Sequence, residues 1–247
     1  MNKKLNLLLF CLSLTIAIFG ISSIIKAQNI PENNNTNDRW EKVFQDSFYR
    51  SDEDPPVTPK EGATREGSSS FCLVSPGLIE VEDKISDTSP TFIWNTRPTF
   101  IWQGQLQLIE IRPANSQQVL WAEKVQDNQQ IIIYNGESLK PGNTYYWRIY
   151  DSSASEYSFP TLRITFRVMD VLERQVITQE LEKLDTRLKQ AKATPETIAL
   201  AKVKFWAERN LFSDALSEAF AVKNPSTELQ NFRSNILQHF CSKPKMQ

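Results

Sequence analysis

Side chains that carry out chemistry in enzymes are few and scattered in this chain of 247 residues. His239 is the only histidine, and it lies beside Phe240 in an apolar stretch, where a packed or surface histidine is more common than a catalytic one. A zinc site would need carboxylates alone, because there is no second histidine and no cluster of cysteines. The sequence also contains no G-x-S-x-G, P-loop or dinucleotide fingerprint. We therefore predict no metal and no cofactor.

Carboxylates are the remaining candidates for acid–base chemistry, since a pair of them hydrolyses glycosidic bonds in many enzymes. Five glutamates in the central part of the chain could converge in a folded structure: Glu80, Glu82, Glu110, Glu123 and Glu137. Their spacing follows no catalytic motif, and acids scattered over a surface are the ordinary explanation. We predict a protein that is not an enzyme, with a glycan-active enzyme or a carbohydrate-binding module as an alternative.

Residues 1–27 are typical of a segment for export. Lys3 and Lys4 precede an apolar run at residues 5–25, and Ala27 offers a small residue for cleavage. The run is about twenty residues long, which would also suit an uncleaved membrane anchor. We predict a signal peptide at 1–27 and an extracytoplasmic protein, periplasmic or secreted, that contacts a membrane only through this segment if it is not cleaved.

Two cysteines, Cys72 and Cys241, lie outside that segment. In an oxidising compartment they could form one disulfide between the start of the strand-rich region and the last helix. Two separate buried thiols are the alternative, because the sequence does not give the distance between the two Cα atoms.

The formal net charge of the whole chain is −1, and loss of residues 1–27 would remove three lysines and no acid, which leaves −4. Proteins that coat nucleic acids are usually strongly basic. We therefore expect no nucleic-acid partner, and we expect an envelope protein or a polysaccharide instead.

The strongest strand signal lies at residues 138–150, SLKPGNTYYWRIY. Alternate positions are predicted to share one inward face around the Pro-Gly turn and the strand that follows it: Leu139, Pro141, Asn143, Tyr145, Trp147 and Ile149. The spacing L-x-P-x-x-x-Y-x-W-x-I resembles the start of strand F in fibronectin type III and immunoglobulin-like sandwiches. That resemblance implies that Tyr145 is a tyrosine corner, whose hydroxyl bonds to the turn backbone while its ring fills the core.

The residues between these positions face the other side of the sheet. Together with two arginines on a later strand they form a mixed aromatic and basic set: Tyr146, Arg148, Tyr150, Arg163 and Arg167. Such a set is most often a solvated sheet face or the surface on which helices are seated. The functional alternative is a surface that binds carboxylates, because guanidinium groups pair with them in bidentate geometry.

A local echo, SPTFIW at residues 89–94 and RPTFIW at residues 97–102, predicts two successive strands. Each would place an aromatic pair inward: Phe92 with Trp94, and Phe100 with Trp102. Further short strands are predicted at 71–74, 78–81, 106–112, 118–125, 130–134, 144–150 and 161–168. These favour an antiparallel β-sandwich at 71–168 whose core holds Tyr145 and three tryptophans, Trp94, Trp102 and Trp147.

Residues 28–70 are polar and predict a disordered tether with a short helix at 39–49. An apolar stripe on this helix would either dock on the domain or bind a partner: Trp40, Val43, Phe44 and Phe48.

From Met169 the apolar period changes from two to about 3.6, which predicts antiparallel α-helical hairpins at 169–243. Residues 206–225 resemble the middle of a tetratricopeptide repeat through Phe212, Ala215 and Pro225, with Asn210 in place of the usual turn glycine. Because one hairpin cannot form the concave groove of a repeat array, no peptide-binding groove is predicted here.

Four motifs occur in order along the chain: G-x-T-R before Cys72 (Gly62, Thr64 and Arg65), P-T-F-x-W, L-x-P-G-x-x-Y-x-W and N-x-F-x-D-A-L. Over roughly residues 60–240 this order resembles an exported cyanobacterial family of unknown function. The motifs are structural, so the resemblance implies an architecture and no catalytic residue.

The predicted fold is therefore α+β by segregation, an antiparallel Ig/fibronectin-III-like β-sandwich followed by a small antiparallel α-helical bundle. The predicted function is that of a non-catalytic exported binding or interaction module at the cell envelope. A structural or oligomerising envelope protein is the alternative.

Overall fold

The computed structural model describes residues 39–48, 58–59, 71–77, 79–80, 90–151 and 160–241. These residues belong to one compact unit, Asn35–Gln247. The predicted signal peptide at 1–27 and most of the predicted tether at 28–70 lie outside the described residues, as do the side chain of Glu80 and the whole of Glu82.

The described residues contain ten strands and five helices. The strands are β1 Thr58–Pro59, β2 Phe71–Ser75, β3 Ile79–Glu80, β4 Thr91–Ile93, β5 Thr99–Gly104, β6 Leu108–Pro113, β7 Trp121–Lys124, β8 Ile131–Ile133, β9 Thr144–Tyr150 and β10 Leu162–Val168. The helices are α1 Arg39–Ser47, α2 Val171–Gln190, α3 Pro195–Ala207, α4 Phe212–Ala221 and α5 Thr227–Cys241. The chain is thus an α+β protein, as predicted.

The longest strands form a five-stranded sheet in the order β4-β10-β9-β6-β7. Its pairs are antiparallel except that β4 runs parallel to β10. A second, antiparallel sheet has the order β2-β5-β8, and β1 pairs with β3. The prediction of a fully antiparallel arrangement is therefore wrong at one edge. After β4 the chain enters the second sheet, and among the described strands β4 is paired only by β10, which follows β9 along the chain.

Strand β5 lies in the middle of three layers. Phe100 and Trp102 are fully buried among residues of the five-stranded sheet, and the Phe100 ring lies 4.8 Å from that of Trp147. Ile101, between them, is equally buried but packs with the helices, of which α4 and α5 contact this strand. Because both faces of β5 are buried, its sequence TFIW does not alternate between apolar and polar side chains, as the sequence of a strand with one face in water would.

Strand β9 holds the core side of the five-stranded sheet. Its alternate residues Tyr145, Trp147 and Ile149 are buried, as predicted. The backbone N–H of Lys140 donates to the Tyr145 hydroxyl at 2.8 Å, so this hydroxyl reaches the turn backbone, as the resemblance to strand F implied.

The predicted inward face does not extend through the turn before β9. Leu139 is buried, but Pro141 and Asn143 are exposed, which corrects their assignment to the core. Gly142 has a φ of 78°, and this turn conformation breaks the two-residue period that only holds once the strand has begun.

The first aromatic pair of the echo is also corrected. Phe92 is 46% exposed and lies on the outer side of the sheet beside Arg167, whereas Ile93 is the buried residue of β4. Trp94 follows the end of the strand and packs with the helices, with its ring 5.0 Å from that of Trp206. The two echoes differ because β4 is an edge strand with one covered face and β5 is covered on both.

Local signals set the helix starts. Asp170 caps α2 and forms a capping box with Glu173, while Thr194 caps α3 with Pro195 as its first residue. Between α3 and α4, Asn210 has a φ of 58°, the left-handed conformation that glycine usually supplies at a helix end and that asparagine tolerates.

Helix α1, which the sequence placed inside a tether, docks on the chain itself. Its apolar stripe is buried against α3 and α5: Trp40, Val43, Phe44 and Phe48. The Trp40 indole N–H donates to the Glu196 carboxylate at 2.9 Å, and the Glu228 carboxylate accepts from the Trp40 backbone N–H. The stripe is therefore covered by the fold and is not left for a separate partner.

Candidate functional site

A disulfide joins the strand-rich part to the last helix. The structure links Cys72 on β2 to Cys241 at the end of α5, with Cα atoms 5.7 Å apart. Of the two arrangements that the sequence left open, the structure therefore adopts the bonded one. The bond fixes α5 to the second sheet, which is the sheet that the helices cover.

His239 packs among aromatic rings. Its ring lies edge-on to Phe44 at 5.9 Å and to Phe240 at 4.8 Å. Of the packed and surface positions that the sequence allowed for this histidine, the arrangement fits the packed one.

Of the candidate glutamates, Glu110 and Glu123 do not converge. Glu110 and Glu123 point to opposite faces of the five-stranded sheet, because Glu123 is in register with the inward Ile109. Glu137 lies exposed in the connection after β8. Within the part of the chain that the structure describes, no group of three or more histidine, cysteine, aspartate or glutamate side chains could hold a metal.

The five residues that the sequence singled out as a binding face do come together. We define the outer face as the side of the five-stranded sheet that points away from the core. Strand register places these residues on it: Phe92, Leu108, Glu110, Arg112, Lys124, Thr144, Tyr146, Arg148, Tyr150, Arg163, Thr165 and Arg167. The helices pack against β2 and β5 instead, so of the two ordinary explanations that the sequence left open, a solvated sheet face or a seat for the helices, the second does not hold.

Glu110 contacts two arginines and a tyrosine on one half of the outer face. Its Oε2 accepts from Arg148 at 3.0 Å and from the Tyr150 hydroxyl at 3.0 Å, and it lies 3.6 Å from Arg112. Burial, and then the charge and hydrogen bond of Glu110, raise the pKa of Tyr150, which keeps this hydroxyl protonated as a donor. Two of the four arginines are thus already held by one carboxylate.

The other half of the outer face carries cations without acids. The Arg163 guanidinium lies 4.5 Å from the centre of the Tyr146 ring, a cation–π arrangement. Among the described residues, neither Arg163 nor Arg167 has a carboxylate within 4.0 Å. Their charges are therefore available to an anionic ligand.

The register also sets two like charges against each other. Arg148 on β9 is directly opposite Arg163 on β10. Directly opposed like charges destabilise a sheet; here Glu110 offsets the charge of Arg148, whereas the charge of Arg163 has no carboxylate to offset it among the described residues. With four arginines and Lys124 against one glutamate, the outer face is strongly positive in a chain whose net charge is close to zero. Guanidinium groups in this arrangement can bind carboxylate or phosphate oxygens in bidentate fashion.

Sequence reasoning missed three contributors to this face. From the sequence, Glu110 is one of several scattered acids, Phe92 belongs to the core, and Arg112 carries no signal of its own. The alternation in LIEIRP was the available signal, because Ile109 and Ile111 are both buried and the residues between and after them must then face outward.

A second cluster of polar groups joins the sheet to the helices. Asp214, 3% exposed in the first turn of α4, accepts from the backbone N–H of Trp94 at 2.8 Å and of Asn95 at 2.7 Å. The guanidinium of Arg174 lies 4.6 Å from the Trp94 ring centre. Burial raises the pKa of Asp214 to about 7, although the two N–H donors and Arg174 oppose the shift. The cluster is placed to hold the β4–β5 connection.

Three cavities of the described part lie against the helices. One of them, about 610 Å³, opens between α3 and α4 beside Glu218, Val222 and Thr194. Burial raises the pKa of Glu218, and Lys202 at 4.0 Å acts in the opposite direction.

No protein-family model, no curated protein and no solved structure matches this chain. In the described ranges, none of the helices combines the length and the apolar character needed to span a membrane.

Proposed function

We propose that this chain is a non-catalytic exported binding module at the cell envelope, whose outer face holds an anionic macromolecule. The observation that carries the proposal is the register pair of Arg148 and Arg163, together with the absence of an acid within 4.0 Å of Arg163 or Arg167 among the described residues. Unfavourable local charge is common where a sequence serves a function besides folding.

A macromolecule fits this face better than a small ligand. The arginines are spread over β6, β9 and β10 on the surface of a sheet, and small-molecule sites are usually concave. Arginine and tyrosine, with tryptophan, are also the side chains most enriched among the residues that contribute strongly to protein interfaces.

Export is supported by two features. The N-terminal apolar run at residues 5–25 follows two lysines, and the Cys72–Cys241 disulfide suits an oxidising compartment.

At the level of fold family, we propose a relation to fibronectin type III and immunoglobulin-like sandwiches, followed by a small helical bundle, as in the exported cyanobacterial family that the motifs resemble. The bond between Tyr145 and the Lys140 backbone supports the first part, because a tyrosine that bonds to its preceding turn is a feature of those sandwiches. The left-handed Asn210 between α3 and α4 supports a hairpin of the tetratricopeptide kind.

The binding proposal is tested by chromatography on immobilised polymers. The full chain, expressed for export, is passed over alginate, a carboxylated polysaccharide, over polyglutamate, and over neutral dextran. We expect retention on an anionic matrix but not on dextran, with elution by salt because exposed charges are screened. Dextran retention equal to that on both anionic matrices would contradict the proposal.

Paired variants locate the contact. Arg163→Ser with Arg167→Ser should elute at lower salt than the parent protein. Lys183→Ser with Arg187→Ser removes the same charge from exposed positions on α2 and should elute like the parent. If both variants lose retention equally, net charge and not the outer face explains the binding.

A second candidate function, a structural or oligomerising envelope protein, is favoured by exposed aliphatic side chains at the start of α2. Val171, Leu172 and Val176 are 65%, 75% and 61% exposed. Contiguous exposed apolar groups mark association surfaces in many proteins. Sedimentation equilibrium of the parent and of Leu172→Ser with Val176→Ser tests this candidate, and a monomer at all concentrations would exclude self-association.

A further inference from the structure

The free arginines of the outer face lie in one row along one strand. Arg163 and Arg167 are four residues apart on β10 and point to the same side, with Thr165 between them. At about 3.3 Å per residue, their backbone positions are separated by about 13 Å. A ligand that engages both must therefore present two anionic groups at a matching distance.

We infer that the anionic partner is an acidic protein segment in extended conformation, which lies along β10 with two carboxylates four residues apart on Arg163 and Arg167. This inference rests on the proposed function and narrows it to one ligand class. In an extended segment, side chains at positions i and i+4 share a face and are separated by about 13 Å, the same spacing as on β10. The residue at i+2 then faces Thr165, whose hydroxyl can donate or accept a hydrogen bond.

The composition of the outer face favours a protein partner over a polysaccharide. Protein interfaces are enriched in arginine, tyrosine and phenylalanine and depleted in lysine. Four of the five cations are arginines, and Lys124 lies on the edge strand β7. Phe92, 46% exposed and in register with Arg167, adds an apolar contact at one end of the row.

Glu110 explains why the segment lies along β10 and not across the centre of the sheet. This carboxylate already pairs with Arg148 and approaches Arg112, so an incoming acid over β6 would meet a like charge. On β10, the Tyr146 ring supports the Arg163 guanidinium, which restricts the side chain before the ligand arrives.

The test compares two fluorescent peptides of identical composition, with glutamates four or three residues apart in a threonine- and valine-rich sequence. Fluorescence anisotropy at low salt measures their affinity for the full chain with its disulfide intact. We expect the four-residue spacing to bind about threefold more tightly, the effect of one exposed ion pair, because the three-residue spacing turns one carboxylate away. Arg163→Ser with Arg167→Ser should weaken the four-residue peptide about tenfold and abolish the preference for spacing. Lys183→Ser with Arg187→Ser should leave both affinities and the preference unchanged.

The outcomes separate the inference from the proposed function. Equal affinities for both peptides would overturn the inferred register, and retention on alginate without peptide binding would show that the ligand is an acidic polysaccharide. In both cases the binding module would stand and the inference would fail. If neither the peptides nor either anionic matrix binds, the proposed function fails as well. Near-ultraviolet circular dichroism that matches the parent shows that each variant has kept its fold.

Discussion

The Cys72–Cys241 disulfide offers the sharpest prediction on stability. The perturbation is Cys72→Ala together with Cys241→Ala, which removes the bond and leaves no unpaired thiol at either position. The two residues are 169 positions apart, and closing a loop of that length in the unfolded chain corresponds to about 5 kcal/mol of stabilisation in the chain-entropy model. Whole domains are stable by only about 5–15 kcal/mol, so the loss should be large.

The position of the bond also predicts where the protein opens. Cys241 follows the buried Phe240 at the end of α5, and α5 packs on β2, which carries Cys72. Without the bond, the last turn of α5 should lose protection first, since helix ends fray unless they are tied down.

Urea-induced unfolding, followed by tryptophan fluorescence, measures the effect. A thiol reductant, added to the parent protein, should lower its unfolding free energy by a similar amount. The same reductant should leave the unfolding free energy of the double variant unchanged. Hydrogen exchange of the α5 amides then locates the opening. A difference below about 1 kcal/mol between parent and double variant would refute the reasoning, because it would mean that the loop is already closed by residual structure in the unfolded state.

Three further predictions concern single side chains. The pKa of Asp214 is about 7 in the fold against an ordinary value of 3.8, so the folded state binds the extra proton between these limits. The stabilisation that comes from protonation of Asp214 in the fold is therefore complete below pH 3.8 and is lost as the pH rises through 7. Urea titrations should show the unfolding free energy of the parent falling by up to about 4 kcal/mol more than that of Asp214→Asn between pH 4 and pH 8, and parallel curves would contradict this. Tyr145→Phe removes the hydrogen bond to Lys140 and should destabilise by about 0.5–1.5 kcal/mol in the same assay, whereas an unchanged midpoint would argue against the bond. Trp147→Ala, at a fully buried site, should lower the unfolding free energy by about 3–5 kcal/mol. Phe92→Ala, on the outer face, should change it by less than about 0.5 kcal/mol. A larger effect at Phe92 than at Trp147 would contradict the assignment of Trp147 to the core and of Phe92 to the surface.

Much of the local structure could be read from the sequence. The alternation through Tyr145, Trp147 and Ile149 predicted the buried side of β9, and the change of apolar period at Met169 predicted the helices that follow. These features depend on the side-chain period over a few residues, which is a property of the chain itself. The outer face follows from the same alternation, which is why Tyr146 and Arg148 were placed together correctly.

Other features depended on surfaces that are distant along the chain. The identical motif PTFIW lies on an edge strand in one copy and on a doubly covered strand in the other, so Phe92 is exposed and Phe100 is buried. The helices pack on the sheet of β2 and β5 and not on the outer face, although the composition of that face was compatible with either arrangement. The burial of α1 likewise required the grooves of α3 and α5.

The sequence by itself determined which side chains share a strand face or begin a helix, because those relations are fixed by backbone geometry over a few residues. Only the tertiary structure decided that Cys72 meets Cys241 and that Arg148 stands opposite Arg163. It also decided that Arg163 and Arg167 lack an acid within 4.0 Å among the described residues. The physical reason is that pairing between strands and burial against helices join residues far apart in the chain, and their distances exist only once the layers have packed.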